Sequence, residues 1–219
     1  MERNVMIKDT AARKTIIDIG LRMYTRGFVA ATDGNISVRL NKNCLLTTPS
    51  GISKGTLHED DLIVMDFSGK VISGYRKPSS EYRLHTAIYE ARPDVNAVIH
   101  AHPPLCTALT VAGISLDQPI LPEVVLTLGS IPTAPYATPT TEEVPDSIKQ
   151  LIPHHDAILL ERHGTVTVGE CCESAYNKLE KLEHTAQVML YSLQLGSAKP
   201  LSSKQISELI KLRDLYAGK

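Results

Sequence analysis

Three histidines are the residues of this sequence best suited to hold a metal ion. His100 and His102 lie in the apolar stretch 96–104, and His163 lies in 160–164. Side chains alternate along a β-strand, so residues at i and i+2 share one face. Two such imidazoles and a third from elsewhere match a catalytic zinc site, in which a fourth position stays open. Spacing alone leaves a metal site and a packed, hydrogen-bonded histidine pair as equal alternatives.

Three polar turns that could bind an anion precede the histidine pair. Backbone N–H groups and hydroxyls in such turns, and at helix N-termini, attract phosphate. The candidate residues in these turns are Asn35, Ser50, Gly51, Ser79 and Ser80. For each turn alone, ordinary turn chemistry or an N-cap at Ser79 or Ser80 is the better explanation. Their combination with the histidines favours an anion site only moderately.

Glu81 follows the serine pair in the first turn of a predicted helix. A carboxylate there complements the helix dipole, which from sequence alone is the preferred interpretation; the alternative is a general base beside the anion turn. A Schiff-base lysine is disfavoured, because neither Lys54 nor Lys77 lies in an apolar setting that would lower its pKa. The sequence has no GxSxG elbow, Walker A loop or GxGxxG fingerprint.

Composition predicts an ordinary globular protein of the cytoplasm. The chain has 219 residues, 42% hydrophobic content and a net charge of −1, which gives no electrostatic reason to expect nucleic acid or membrane partners. No stretch approaches the roughly 18 apolar residues of a membrane span, and the N-terminus lacks an apolar signal core. The cysteines match neither a disulfide framework nor a zinc motif and are interpreted as reduced thiols; they are Cys44, Cys106, Cys171 and Cys172.

Periodicity predicts strands and helices that alternate along a single domain, 1–219, with a tail from about 202 that could move. Predicted helices cover about 9–26, 77–93, 105–112, 142–152, 172–194 and 202–215. Predicted strands cover 36–40, 44–48, 62–66, 70–72, 95–102, 157–161 and 165–168. Asp9 or Thr10 is expected to cap the first helix and Gly27 to end it. Because of its prolines, 114–140 is expected to form short strands and loops. The predicted strands 36–40 and 44–48, and likewise 62–66 and 70–72, are joined by short turns as in hairpins. These hairpins favour a mixed or largely antiparallel sheet.

Five motifs together resemble the class II aldolase/adducin family over about residues 9–216. They are Gly34-Asn-Ile-Ser37, Thr48-Pro-Ser-Gly51, Lys77-Pro-Ser-Ser-Glu81, His100-Ala-His102 and Arg162-His-Gly164. The resemblance implies an α/β fold, a three-layer α/β/α sandwich around a central mixed, mostly antiparallel sheet. It also implies a C4 homotetramer with sites between subunits.

The resemblance implies a role for each candidate residue. His100, His102 and His163 would bind Zn²⁺, with Mn²⁺ or Co²⁺ as alternatives. Glu81 would be the catalytic acid/base. The residues implied to bind the substrate phosphate are Asn35, Ser50, Gly51, Ser79 and Ser80.

Two further residues are implied on the aldehyde side of the site. Tyr216 matches a tyrosine of a mobile C-terminal tail that protonates the aldehyde oxygen in a neighbouring subunit's site. A second tyrosine of the fuculose-phosphate aldolases is missing from 120–129, where this chain has Glu123 instead. Some family members place an acid in this region for proton transfer, so Glu123 leaves the substrate open.

The implied activity is reversible cleavage of a ketose 1-phosphate, such as L-fuculose 1-phosphate, to dihydroxyacetone phosphate and an aldehyde. An L-ribulose-5-phosphate 4-epimerase is one alternative, although such members usually have Asp where this chain has Glu81. A decarboxylase or dehydratase of a sugar-acid phosphate is another, which Glu123 keeps open. A non-catalytic adducin-like interaction domain is the least favoured, because the three histidines and Glu81 are all present.

Overall fold

An eight-stranded sheet forms the centre of the protein in the computed structural model, which describes the backbone of 2–217 and the side chains of 10–215. The strands are β1 (Asn35–Arg39), β2 (Cys44–Thr47), β3 (Ile63–Asp66), β4 (Val71–Ser73), β5 (Ala97–Ala101), β6 (Thr133–Ala134), β7 (Ala157–Leu160) and β8 (Gly164–Gly169). Their spatial order is β4-β3-β2-β1-β5-β8-β7-β6. Among the described residues, every neighbouring pair is antiparallel except β6 and β7. The prediction of a mixed, mostly antiparallel sheet is confirmed.

Helices pack on both faces of this sheet, which confirms the α/β layers expected from the sequence. They are α1 (Glu2–Thr25), α2 (Tyr82–Ala91), α3 (Pro104–Val111), α4 (Pro122–Thr127), α5 (Glu143–Ile148), α6 (Cys172–Gln194) and α7 (Ser203–Ala217). On one face, Ile16 and Ile19 of α1 and Leu179 of α6 join Ile36 and Ile99 in a buried cluster. Within residues 2–217, every helix is too short or too polar to span a bilayer.

The opposite face carries α2 and α5. Leu84 and Ile88 of α2 and Ile148 of α5 pack with Val98 of β5 and Val166 of β8. Since side chains alternate across a strand, Val98 and His100 share this face of β5. The helix that begins after Glu81 therefore lies on the same side of the sheet as the buried imidazole.

Local signals located most elements but misplaced some of their ends. The first helix begins at Glu2, so neither Asp9 nor Thr10 starts it, while Gly27 has the left-handed φ of 69° expected after a helix end. The predicted helix 172–194 is confirmed by α6. Ser202 and Gln205 form a capping box at the start of α7: Gln205 Oε1 accepts from Ser202 N at 2.9 Å, and Ser202 Oγ accepts from Gln205 N at 3.3 Å.

Two expectations about helices were wrong. The N-cap of α2 is Glu81, not Ser79 or Ser80; Ser79 Oγ instead accepts a hydrogen bond from Glu81 N at 3.3 Å in the preceding turn. The proline-rich stretch 114–140 contains the short helix α4, which begins at Pro122. Proline is tolerated at the first helical position, because the N–H that it lacks would have no partner within the helix.

Truncation of a core side chain on α6 tests the packing between the helices and the sheet. Leu179 is fully buried in a cluster with residues of α1 and the sheet, so Leu179→Ala is expected to lower the free energy of unfolding by about 2–5 kcal/mol. The matched control is Leu195→Ala, at a position that is 89% exposed, which is expected to cost less than about 0.5 kcal/mol. Urea denaturation of both variants measures the difference, and equal losses would contradict this packing.

Candidate functional site

The fold brings the three histidines together at one end of β5. His100 lies within β5, His102 follows its last residue, and His163 lies in the turn between β7 and β8. The ring centroid of His100 lies 4.8 Å from that of His102 and 4.7 Å from that of His163. A nitrogen of each ring lies within 4.8 Å of the others, close enough for the set to hold one metal ion. The three histidines that the sequence singled out as candidate metal ligands therefore form one cluster.

The turn that carries His163 depends on two backbone features. Arg162 has a φ of 57°, which is rare for a non-glycine residue. Gly164 lies so close to β5 that a Cβ there would meet the carbonyl oxygen of Ala101 and come within 2.7 Å of the His102 ring. Glycine at this position therefore lets the third imidazole approach the other two.

The tautomer of His100 makes it ready to bind a cation. Its Nδ1 lies 2.9 Å from the carbonyl oxygen of Thr165, which only accepts hydrogen bonds, so Nδ1 must carry the proton. The unprotonated Nε2 then faces His102 Nε2 at 2.9 Å and Glu81 Oε2 at 3.3 Å. A nitrogen lone pair beside a carboxylate oxygen is unfavourable unless a positive charge lies between them. The donor set therefore fits a divalent metal held by imidazoles.

Burial keeps the imidazoles of His100 and His102 neutral at physiological pH. Removal from water lowers the pKa values of His100 and His102 to about 4. Burial alone would raise the pKa of Glu81, but His100, His163 and a hydrogen bond from Asn35 outweigh it and lower that pKa below its usual range. Neutral imidazoles and an ionised carboxylate are the protonation states in which these groups bind metals.

Glu81 lies between the histidines and the anion turns. One carboxylate oxygen lies 3.1 Å from His163 Nε2, and the other accepts a hydrogen bond from Asn35 Nδ2 at 2.8 Å. Asn35 is the first residue of β1, directly opposite His100 in the sheet. The acid that the sequence placed at a helix start therefore lies within the histidine cluster.

Two of the three candidate anion-binding turns, 48–51 and 77–81, meet through their backbones. Ser50 N donates to the carbonyl oxygen of Lys77 at 2.9 Å, and Pro49 bridges to Pro78. The third joins them through Asn35, whose Nδ2 also lies 3.2 Å from Ser79 Oγ. Ser50, Gly51 and Ser80 are exposed on these adjoining turns, so the predicted phosphate residues lie together.

Neither aldehyde-side candidate makes a described contact with this cluster. Glu123 is exposed on α4 and lines a cavity of about 860 Å³ together with Phe28 and Leu105. Among the described residues, its side chain makes no hydrogen bond or ion pair with the imidazoles. Tyr216 lies in α7, and its side chain is outside the described residues.

Sequence reasoning missed three polar residues near the site. Asp33 Oδ2 lies 3.6 Å from His102 Nδ1. His85 is buried and hydrogen-bonded to Asn35; its position four residues after Glu81 was the available signal for its place behind that carboxylate. The expectation for Lys54 was wrong: it is 1% exposed, burial lowers its pKa to about 8, and its Nζ donates to two backbone carbonyls.

Comparison with known proteins gives consistent matches over most of the chain. Residues 14–190 match the family model of the class II aldolase and adducin N-terminal domain. L-fuculose phosphate aldolase from Escherichia coli K12 is 35% identical, over 99% of this chain and 97% of that protein. 3-oxo-tetronate 4-phosphate decarboxylase from Haemophilus influenzae is 32% identical, over 92% and 97%. The crystal structure of YgbL from Klebsiella pneumoniae superposes with a TM-score of 0.85 at 32% identity, over 92% and 98%.

Removal of one imidazole tests the metal site. His163→Ala is expected to weaken Zn²⁺ binding at least about 100-fold, since loss of a group that merely supports a ligand costs about 10–100-fold. Competition with a chelator, followed by elemental analysis, measures the affinity. His154→Ala, at an exposed position, is the control and should bind zinc like the wild type. Equal affinity in the His163 variant would exclude this residue as a ligand.

The pH dependence of stability tests the buried state of His85. Burial lowers the pKa of His85 to about 4, against about 6.5 in an unfolded chain. As pH falls from 6.5 to 4, the unfolded chain binds a proton here that the folded protein excludes, so stability falls. The glutamine side chain in His85→Gln would not bind this proton. The free energy of unfolding of His85→Gln, minus that of the metal-free wild type, should therefore rise by up to roughly 3 kcal/mol as pH falls across this window.

Urea denaturation at several pH values measures this difference between the two proteins. The control, His154→Gln, should keep a constant difference from the wild type, because that position is exposed. A constant difference for His85→Gln would contradict a buried, neutral imidazole.

Proposed function

Since the chain belongs to the class II aldolase and adducin N-terminal domain family, we propose that it is a metal-dependent aldolase. The proposed reaction is reversible cleavage of a ketose 1-phosphate, such as L-fuculose 1-phosphate, to dihydroxyacetone phosphate and an aldehyde. The relative from E. coli, named as an L-fuculose phosphate aldolase, supports this substrate class.

One hydrogen-bond arrangement carries the proposal. The amide nitrogen of Asn35 lies 2.8 Å from Glu81 Oε2 and 3.2 Å from Ser79 Oγ. A single side chain thus joins the candidate acid/base to the candidate phosphate turn. A small sugar phosphate anchored at Ser79 by its phosphate would have carbon atoms within reach of both Glu81 and the histidine cluster.

His100, His102 and His163 would hold the metal, for which we propose Zn²⁺, with Mn²⁺ or Co²⁺ as alternatives. When bound, such an ion supplies Lewis-acid chemistry that stabilises negative charge on substrate oxygens. The remaining chemistry belongs to the side chains around the histidine cluster and to the turns that would hold the phosphate.

Glu81 would move the proton at the carbon that loses its bond to the aldehyde. Its carboxylate is 12% exposed, so water has little access to compete for this proton. A hydrogen bond from Asn35 and the contact with His163 hold the carboxylate in one position. A fixed acid/base group typically contributes 10²–10⁴-fold to a rate.

The turns at Asn35, 50–51 and 79–80 would bind the phosphate and orient the rest of the substrate. Binding energy from such a remote group can be used to align the reacting atoms. Glu123 or Tyr216 would serve the aldehyde oxygen from a neighbouring subunit, in a C4 homotetramer of the kind expected from the family. This proposal accounts for the lack of a hydrogen bond or ion pair between Glu123 and the imidazoles among the described residues of one chain.

A decarboxylase is the second candidate function. The relative from H. influenzae, named as a 3-oxo-tetronate 4-phosphate decarboxylase, is about as similar as the aldolase. Loss of CO₂ from a 3-oxo acid leaves the same kind of negative charge beside a carbonyl group, and Glu81 would take up a proton from solvent and deliver it to the carbon. Glu123 in place of a tyrosine keeps this alternative open.

We further propose that the protein works in the reducing environment of the cytoplasm. Cys106, Cys171 and Cys172 are free thiols, a pattern common in compartments that keep cysteines reduced.

Replacement of the proposed acid/base separates chemistry from folding. Glu81→Gln keeps the size of the side chain and should preserve fold and zinc content while turnover falls about 10²–10⁴-fold. Glu90→Gln, on the exposed side of the same helix, is the matched control with unchanged turnover. A Glu81→Gln variant as active as the wild type would exclude Glu81 as the acid/base.

Substrate panels distinguish the two candidate reactions. The metal-loaded wild type is incubated with dihydroxyacetone phosphate and a set of aldehydes, and separately with 3-oxo sugar-acid phosphates. Formation of ketose phosphates supports the aldolase, and release of CO₂ supports the decarboxylase. No product from any aldehyde would overturn the aldolase proposal.

A further inference from the structure

A buried row of polar side chains lies behind Glu81, between α2 and β1. Glu81, His85 and Tyr89 are spaced four residues apart and therefore share one side of the helix. Asn35 and Ser37, two residues apart on β1, share the facing side of the strand. Exposure is 3% at Asn35, 0% at Ser37, 2% at His85 and 1% at Tyr89. None of these buried groups other than Glu81 and Asn35 has a role in the reaction proposed above.

The row forms a continuous chain of hydrogen bonds that ends at the carboxylate. Tyr89 OH lies 2.8 Å from Ser37 Oγ, and Ser37 Oγ lies 2.6 Å from His85 Nδ1. His85 Nε2 is hydrogen-bonded to Asn35 Oδ1, and Asn35 Nδ2 donates to Glu81. Every polar side-chain atom between Tyr89 and Glu81 thus has a partner, as burial demands.

The direction of each hydrogen bond follows from the ionised carboxylate. Glu81 only accepts, so the Asn35 amide must turn its nitrogen toward Glu81 and its oxygen toward His85. That oxygen also only accepts, so His85 must carry its proton on Nε2. Nδ1 is then an acceptor, Ser37 must donate its hydroxyl proton to it, and Tyr89 donates in turn to Ser37.

We propose that His85, as the Nε2–H tautomer, is a positioning residue that holds the Asn35 amide in the orientation needed by both Glu81 and the phosphate turn. The proposal rests on the function proposed above. Without the donor on His85, the amide could rotate and present its oxygen to the carboxylate and to Ser79. Such a rotation would disturb the acid/base and the phosphate turn together, because the same nitrogen faces both.

His85 would act only through Asn35. It has a hydrogen bond to Asn35 and another to Ser37, and it is not among the residues that could hold the metal. Zinc content should therefore be insensitive to His85, whereas kcat and KM for a phosphorylated substrate should both respond. A purely structural role would lower the free energy of unfolding but leave the KM of folded, metal-loaded enzyme unchanged.

Two substitutions separate the nitrogen donor from the shape of the ring. His85→Phe keeps a flat ring and removes both nitrogens, and should lower kcat/KM about 100-fold, with a lower kcat and a higher KM. His85→Gln places an amide N–H close to the position of Nε2 and should recover at least about tenfold of that loss. His154→Phe, at an exposed position, is the control. Zinc content should equal that of the wild type in all three.

The outcomes distinguish this inference from the proposed function. No turnover by the wild type overturns the function, whereas full turnover by His85→Phe overturns the positioning role. A folded, zinc-loaded His85→Gln variant as impaired as His85→Phe also overturns it.

A measurement on the wild type decides the matter even if His85→Phe does not fold. Nitrogen-15 NMR of labelled histidine should find His85 neutral and protonated on Nε2 at pH 6–8. Protonation on Nδ1, or on both nitrogens, would overturn the proposal whatever the activity.

Discussion

A buried carboxylate must be surrounded by groups that stabilise its charge, and much of the described site follows from this requirement at Glu81. Transfer of an ionised carboxyl group from water is strongly unfavourable unless it is paired or hydrogen-bonded. Here the donor to the carboxylate is an amide nitrogen of Asn35, while the rings of His100 and His163 lie 3.3 and 3.1 Å from it. A divalent ion among these imidazoles would meet the remaining electrostatic need, so the proposed metal site and the proposed acid/base would lie together.

Two backbone repeats, the alternation of side chains along a strand and the turn of a helix, place polar groups around Glu81. Alternation along β1 places Asn35 and Ser37 on one face, and the helical repeat places His85 and Tyr89 behind Glu81. Antiparallel pairing of β1 with β5 places Asn35 opposite His100, which joins the amide to the histidine cluster. Fixed geometry of this kind limits how far an acid/base group must reorganise during a reaction.

Much of the architecture was predictable because its signals are local. The long helix α6, the hairpins and the capping box of α7 follow from apolar spacing and turn residues over short stretches. The start of α2 was misjudged because serine is a good N-cap in general, while here a hydrogen bond to Ser79 in the preceding turn makes Glu81 the N-cap. The surroundings of Lys54 were misjudged because its burial depends on packing against α1, which is distant along the chain.

By itself the sequence determined which residue types could act and which of them share a face. His100 and His102 had to point the same way in a strand, because alternation is a property of the backbone. Only the tertiary structure decided that Glu81 lies among the imidazoles and that the Asn35 amide joins it to Ser79. Those contacts link segments far apart along the chain, and they depend on sheet register and helix placement, which no local pattern specifies.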